Sequence, residues 1–148
     1  MNGDAAGEPR PGFDAPPAFE PHGDDLLNPR AILRHHGIRP NKRLGQHFLV
    51  DRAHLARIVA AADLHPGDVV LEVGPGLGVL TDALAMVAGR VVAVELDPAM
   101  RHVLASTVRH HANVEIVAGD VLRAAPDALV GADAAPSGRL AGYKVVAN

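Results

Sequence analysis

Cysteine is absent from the 148 residues. That excludes a disulfide framework, a thiolate metal site and a cysteine nucleophile, and it agrees with a cytoplasmic chain. No apolar run approaches the roughly 20 residues of a membrane span. The N-terminus has no apolar core behind a basic start, so no signal peptide is read there. Aromatic residues number four, Phe13, Phe19, Phe48 and Tyr143, which is too few for a base-stacking surface within this chain. Positive charge is not in excess either. The formal net charge is -3, so any nucleic-acid contact needs a local basic patch or a part outside this sequence. What is present is a soluble balance, 48% hydrophobic and 21% charged, at the length of one domain.

Residues 1–25 hold five of the twelve prolines, four glycines and six acidic residues. So few apolar side chains cannot offset the entropy of ordering, and the segment reads as a disordered tail. Residues 26–50 carry a short helix and a basic connector. Asn28 caps that helix, Pro29 opens it and Gly37 ends it. Residues 51–148 read as alternating helix and strand. Asp51 caps a helix whose Leu55, Ile58, Val59 and Ala62 share one face, with Pro66-Gly67 as its breaker. Strands follow at 69–73, 91–95, 114–118 and 143–147. Helices are expected at 79–88, from Pro98 to about Val108, and at 126–130. Residues 131–142 form a loop. Alternation of this kind implies a parallel sheet with right-handed crossovers. The chain stops at Asn148, directly after a strand, where an α/β fold places its working loop. The expectation is therefore a truncated protein or gene model.

The turn after the first strand reads Glu72-Val73-Gly74-Pro75-Gly76-Leu77-Gly78. Glycines let a backbone turn sharply and approach a ligand closely. The helix that follows presents free N–H groups. A ligand-free strand-to-helix turn would use the same residues. A dinucleotide site asks for G-x-G-x-x-G, but the third position here is Val79. The spacing E-x-G-x-G-x-G fits an S-adenosylmethionine site instead. Glu95 ends the second strand 21 residues after Gly74. A carboxylate there can accept both ribose hydroxyl hydrogens, or be a solvated strand-end acid. Asp120 follows the third strand. It can accept from an adenine amino group, or start a turn.

Four segments together resemble a known family: Arg43 to Leu49 (RLGQHFL), residues 70–81 (VLEVGPGLGVLT), residues 93–97 (AVELD) and Gly119-Asp120. They are similar to the ribosomal RNA adenine dimethyltransferases of the small-subunit KsgA/RsmA group, from about Leu26 to Asn148. The resemblance implies a Rossmann-like α/β fold dependent on S-adenosyl-L-methionine, with a parallel sheet truncated after its fourth strand. It implies that His47 and Leu49 contact the cofactor, with Gln46 nearby. Gly74 and Gly76 would line its methionine end, Glu95 its ribose and Asp120 its adenine. Asn148 would be the first residue of the family's catalytic Asn-Leu-Pro-Tyr motif and would also touch the cofactor. The later strands, a base-clamping aromatic and a helical RNA-binding domain are missing, so the chain alone is expected to be inactive.

The implied reaction dimethylates the exocyclic amine of two adjacent adenines in 16S ribosomal RNA. Methyl transfer from a sulfonium asks for alignment rather than a metal. The implied partner is ribosomal RNA in the immature small ribosomal subunit, with no metal, no membrane and a monomeric chain. Arg39, Lys42 and Arg43 are basic enough to meet phosphate, or form a solvated linker. Three alternatives stay open: a large-subunit (23S) dimethyltransferase of the macrolide-resistance kind, an NAD-binding oxidoreductase domain, and a non-catalytic fragment.

Overall fold

The computed structural model describes residues 28–39, 51–131 and 142–148. The expected tail at 1–25, the connector around Pro40 to Leu49 and the loop at 132–141 lie outside the described residues. Two helices come first, α1 (Pro29–His35) and α2 (Arg52–Ala62). Each starts where a short polar side chain can satisfy open backbone N–H groups. Asn28 Oδ1 accepts from Arg30 N at 3.0 Å, and Asp51 Oδ1 from Ala53 N at 2.8 Å. The alternating part follows as β1 (Val69–Val73), α3 (Val79–Ala85), β2 (Arg90–Glu95), α4 (Pro98–Thr107), β3 (Val114–Ala118), α5 (Pro126–Val130) and β4 (Tyr143–Ala147).

The four strands form one parallel sheet in the order β3-β2-β1-β4. β1 and β2 sit in the middle and are buried on both faces, which is why they are continuous apolar runs. Val70, Val91 and Val146 pack with Ile32, Leu80, Leu84, Met100 and Val103 on one side. Leu71, Val92 and Val94 pack with Val130 on the other. The chain moves outward from β1 to β3 and then returns to the far side of β1. By the general rule for open α/β sheets, a reversal of this kind marks the carboxyl ends of the strands beside it as the place for a ligand.

Two helix ends differ from expectation, and β2 begins one residue early, at Arg90. α2 ends at Ala62 because Asp63 turns left-handed at φ 47, a conformation aspartate tolerates better than most side chains. Pro66 and Gly67 lie in the turn beyond. α3 ends at Ala85 rather than Ala88, the bond from Val87 N to Leu84 O tightening the last turn. Tertiary closure sets that stop. Gly89 N donates to Asp68 O at 3.0 Å, and a Cβ at Gly89 would run into the Pro66 carbonyl oxygen. Two side-chain ties were not anticipated. Arg90 reaches Val130 O at 2.6 Å and Glu115 at 2.5 Å. Lys144 bonds the Asp63 carbonyl and pairs with Asp68 at 3.0 Å.

Gly78 shows how tightly α3 meets α4. Its φ is 84, and a Cβ there would lie 2.8 Å from Leu104 Cδ1 and 3.1 Å from Val108 Cγ1. Gly78→Ala combines left-handed strain with overpacking, and is expected to destabilise the chain by about 2 kcal/mol. Urea unfolding of the two proteins checks this. A loss under roughly 0.5 kcal/mol, the scale of an ordinary surface change, would show that α4 yields freely.

Candidate functional site

The turn after β1 is made of three left-handed glycines, Gly74 (φ 67), Gly76 (φ 56) and Gly78 (φ 84). Gly74 N donates to Val94 O at 3.0 Å, and Gly78 N to Pro75 O at 3.0 Å. β2 runs alongside in register, Val73 facing Val94, so Glu95 arrives level with the turn. Its carboxylate grips the backbone. Oε2 accepts from Gly76 N at 3.1 Å, and Oε1 from Asp97 N at 2.9 Å. Charge-assisted bonds of this kind are about twice as strong as neutral ones. Glu95 is 7% exposed, so these amides also stand in for water. Arg101 Nη1 donates to the carbonyls of Glu95 at 3.1 Å and Leu96 at 3.0 Å, which fixes the β2–α4 connection from the other side.

Asp120 stands just past β3, whose end is tied to β2 by Gly119 N donating to Glu95 O at 3.3 Å. Its Oδ1 accepts from Leu122 N at 3.0 Å, so it does start a turn. Oδ2 faces the Arg123 guanidinium at 3.7 Å, a loose pair with an exposed partner. Asn148 is exposed directly after β4, and Ala147 before it pairs with Val73. The fold thus brings Gly76 into contact with Glu95, ties Gly74 to the neighbouring Val94 and sets Asp120 and Asn148 at the flanking strand ends. His47, Leu49 and Gln46 lie outside the described residues.

Sequence reasoning gave Glu72 no role of its own, yet it is the most unusual group near the turn. It lies 1% exposed in the middle of the sheet. Burial pushes its carboxyl up to about 7, the nearby Thr81 hydroxyl opposes the rise, and the Glu95 carboxylate adds to it. Neither Glu72 Oε2 nor Thr81 Oγ1 has a hydrogen-bond partner of good geometry among the described residues. Desolvation disfavours the charged form of an acid, which explains the direction. The available signal was its setting in an apolar strand, Val-Val-Leu-Glu-Val.

A parallel sheet that reverses beside β1, a triple-glycine turn after that strand and a buried carboxylate after the next make this a Rossmann-like methyltransferase fold. The family follows from the chain itself. Residues 37–148 match the model for ribosomal RNA adenine dimethylase, and the chain belongs to that family. Ribosomal RNA small subunit methyltransferase A of Moorella thermoacetica is 47% identical over 119 residues, 80% of this chain and 41% of that protein. The solved structure of the 23S rRNA methyltransferase ErmE is 44% identical with a TM-score of 0.52, covering 54% of this chain and 33% of its own. A dimethyladenosine transferase from Plasmodium falciparum is 30% identical with a TM-score of 0.51, covering 53% and 30%. The chain spans about two fifths of the length of the first curated relatives it matches. No helix among the described residues is long and apolar enough to cross a membrane.

Proposed function

We propose that this chain is the cofactor-binding part of an S-adenosylmethionine-dependent enzyme. The enzyme dimethylates the exocyclic amines of two adjacent adenines in small-subunit (16S) ribosomal RNA during ribosome maturation. The observation that carries the reading is the Glu95 carboxylate held against the glycine turn by Gly76 N–H at 3.1 Å. A carboxylate has about four lone-pair sites. Two are taken by backbone amides, which leaves acceptors for a ribose diol. The turn offers room as well. A Cβ added at Gly74 would meet nothing within 4 Å, so the glycine keeps a cradle open beside the strand end. These features fit the nucleoside and methionine parts of the cofactor.

When bound, that cofactor supplies a methyl group on a sulfonium, already a good leaving group. The protein's task is therefore alignment and electrostatics. Glu95 accepts from the ribose hydroxyls. Gly74 lets the backbone approach closely. Asp120 accepts from the adenine amine through an oxygen that its loose Arg123 contact leaves accessible. His47 and Leu49, by the family resemblance, contact the cofactor. The Asn148 side-chain oxygen accepts a hydrogen bond from the target amine, which frees the nitrogen lone pair otherwise spread into the ring. The target base has to leave its stack to reach this point.

The Moorella thermoacetica relative, named for the small subunit, supports the 16S reading. The 44% identity to the 23S enzyme supports a second reading within the same chemistry. Calorimetry with S-adenosylmethionine and with NAD tests the shared part. The chain is expected to bind the first saturably, with a rise in unfolding free energy of about 2.7 kcal/mol at a hundredfold excess over Kd, and not to bind the second. Binding of NAD in preference would end the methyltransferase reading. A version extended to its relatives' length is expected to label undermethylated small-subunit particles rather than 23S RNA.

A further inference from the structure

We propose that Asp82, His110 and His111 form a binding site for a divalent transition-metal cation of the zinc class, separate from the strand-end crevice. Asp82 Oδ1 lies 3.0 Å from His110 Nε2 and 2.7 Å from His111 Nε2. The three donor atoms all lie within 4.8 Å of one another. A tetrahedral zinc ion with bonds near 2.0–2.1 Å holds its donors roughly 3.3 Å apart. The two Asp82 edges therefore have to open by only a few tenths of an ångström, and the edge between the two histidines, which is within 4.8 Å, has to settle near the same spacing by side-chain rotation.

The charge balance points the same way. Asp82 is 7% exposed, and among the described residues no lysine or arginine is paired with it. A buried carboxylate needs a compensating charge. A divalent cation would supply that charge while both imidazoles stay on as nitrogen ligands. Two imidazole nitrogens and one carboxylate oxygen suit zinc, cobalt, nickel or copper, not magnesium or calcium. The His110 side chain is 46% exposed, which supplies an entry path and leaves a coordination position to solvent.

The frame is rigid. Asp82 N donates to Gly78 O at 2.9 Å, and His111 N to Val108 O at 2.9 Å. Asn113 Nδ2 holds the carbonyls of Ala85 and Ala88 at 2.9 and 3.0 Å, so the turn entering β3 is anchored on the end of α3. Both histidines precede β3, at the end of the sheet opposite the strand termini that carry Glu95 and Asp120. The ion would staple α3 to the α4–β3 turn and take no part in methyl transfer.

The test uses the tag-free 148-residue chain with zinc chloride by calorimetry and cobalt chloride by visible absorption. One equivalent of zinc is expected to bind. His110→Ala removes an exposed ligand without threatening the fold, and Asp82→Asn removes the carboxylate charge. Each is expected to weaken binding about tenfold or more, as loss of one of three ligands requires. His54→Ala, an exposed histidine elsewhere, is expected to leave it unchanged. Absence of one-to-one binding, or equal affinity in His110→Ala and the parent chain, would overturn the proposal and leave Asp82 as an acceptor hydrogen-bonded by two imidazoles.

Discussion

Replacing Glu95 with alanine is expected to weaken S-adenosylmethionine binding by on the order of a hundredfold or more. Two losses combine. The direct one is the proposed acceptor for the ribose hydroxyls, worth about 1.5–3 kcal/mol for each hydrogen bond to a charged group. The indirect one is the turn itself. Without the carboxylate, the N–H groups of Gly76 and Asp97 lose their partners at 3.1 and 2.9 Å. The glycine turn then samples conformations that do not fit the ligand. Glu95→Gln separates the contributions. Its amide oxygen can keep one backbone N–H, but its NH₂ faces the other donor to donor. It is therefore expected to fold well and still bind at least tenfold more weakly, from the loss of one charged hydrogen bond. Calorimetry on both variants, with circular dichroism to confirm folding, decides the matter. Affinity within about threefold of the parent in a folded Glu95→Gln would remove Glu95 from the binding site, since threefold is smaller than any single charged hydrogen bond.

The second large effect concerns Glu72 and pH. Its carboxyl titrates near 7 in the folded chain, against an ordinary 4.5. Below about pH 4.5 the group is protonated whether the chain is folded or not, and it makes no difference to stability. Between 4.5 and 7 the unfolded chain releases the proton and the folded chain keeps it. Stability then falls by about 1.36 kcal/mol per pH unit. Above 7 the full penalty is present, on the order of 3 kcal/mol. Glu72→Gln has no proton to lose. The variant is expected to gain on the parent steadily from pH 5 to pH 8, by roughly 2–3 kcal/mol across that span. Urea unfolding at several pH values reads the difference directly. A constant gap between the two curves would mean that Glu72 titrates normally and is better hydrated than its burial implies.

Much of the fold was legible because its signals are local. Asn28 and Asp51, read as caps, each precede a helix and cap it, and Pro98, read as a helix opener, starts α4 behind an unanticipated Asp97 cap. Strand boundaries followed from apolar runs broken by glycine and aspartate. The end of α3 was not local. Ala85 is the last residue of α3 because Gly89 must close against Asp68, a contact across the start of β1. The ligand end divides in the same way. Gly74, Gly76 and Glu95 were readable from lettering because a parallel register carries letters at the ends of adjacent strands to the same level. Glu72 was not, since an acid at the end of a strand looks solvent-facing until the strand proves central. Asp82 and the histidine pair were invisible for a third reason. Nothing in the sequence joins residue 82 to residues 110 and 111 until α3 and the turn before β3 are packed together.

The return of β4 to the far side of β1 also has a price in chain entropy. Val69 finds Arg90, and Val91 finds Val114, across about twenty residues of intervening chain. Tyr143 has to find Val69 across about seventy. Closing that larger loop costs about 1 kcal/mol more than either neighbouring pairing. The strand beside that reversal thus carries the larger closure cost, and Lys144, tied to Asp68 and to the Asp63 carbonyl, is a fastening that offsets it.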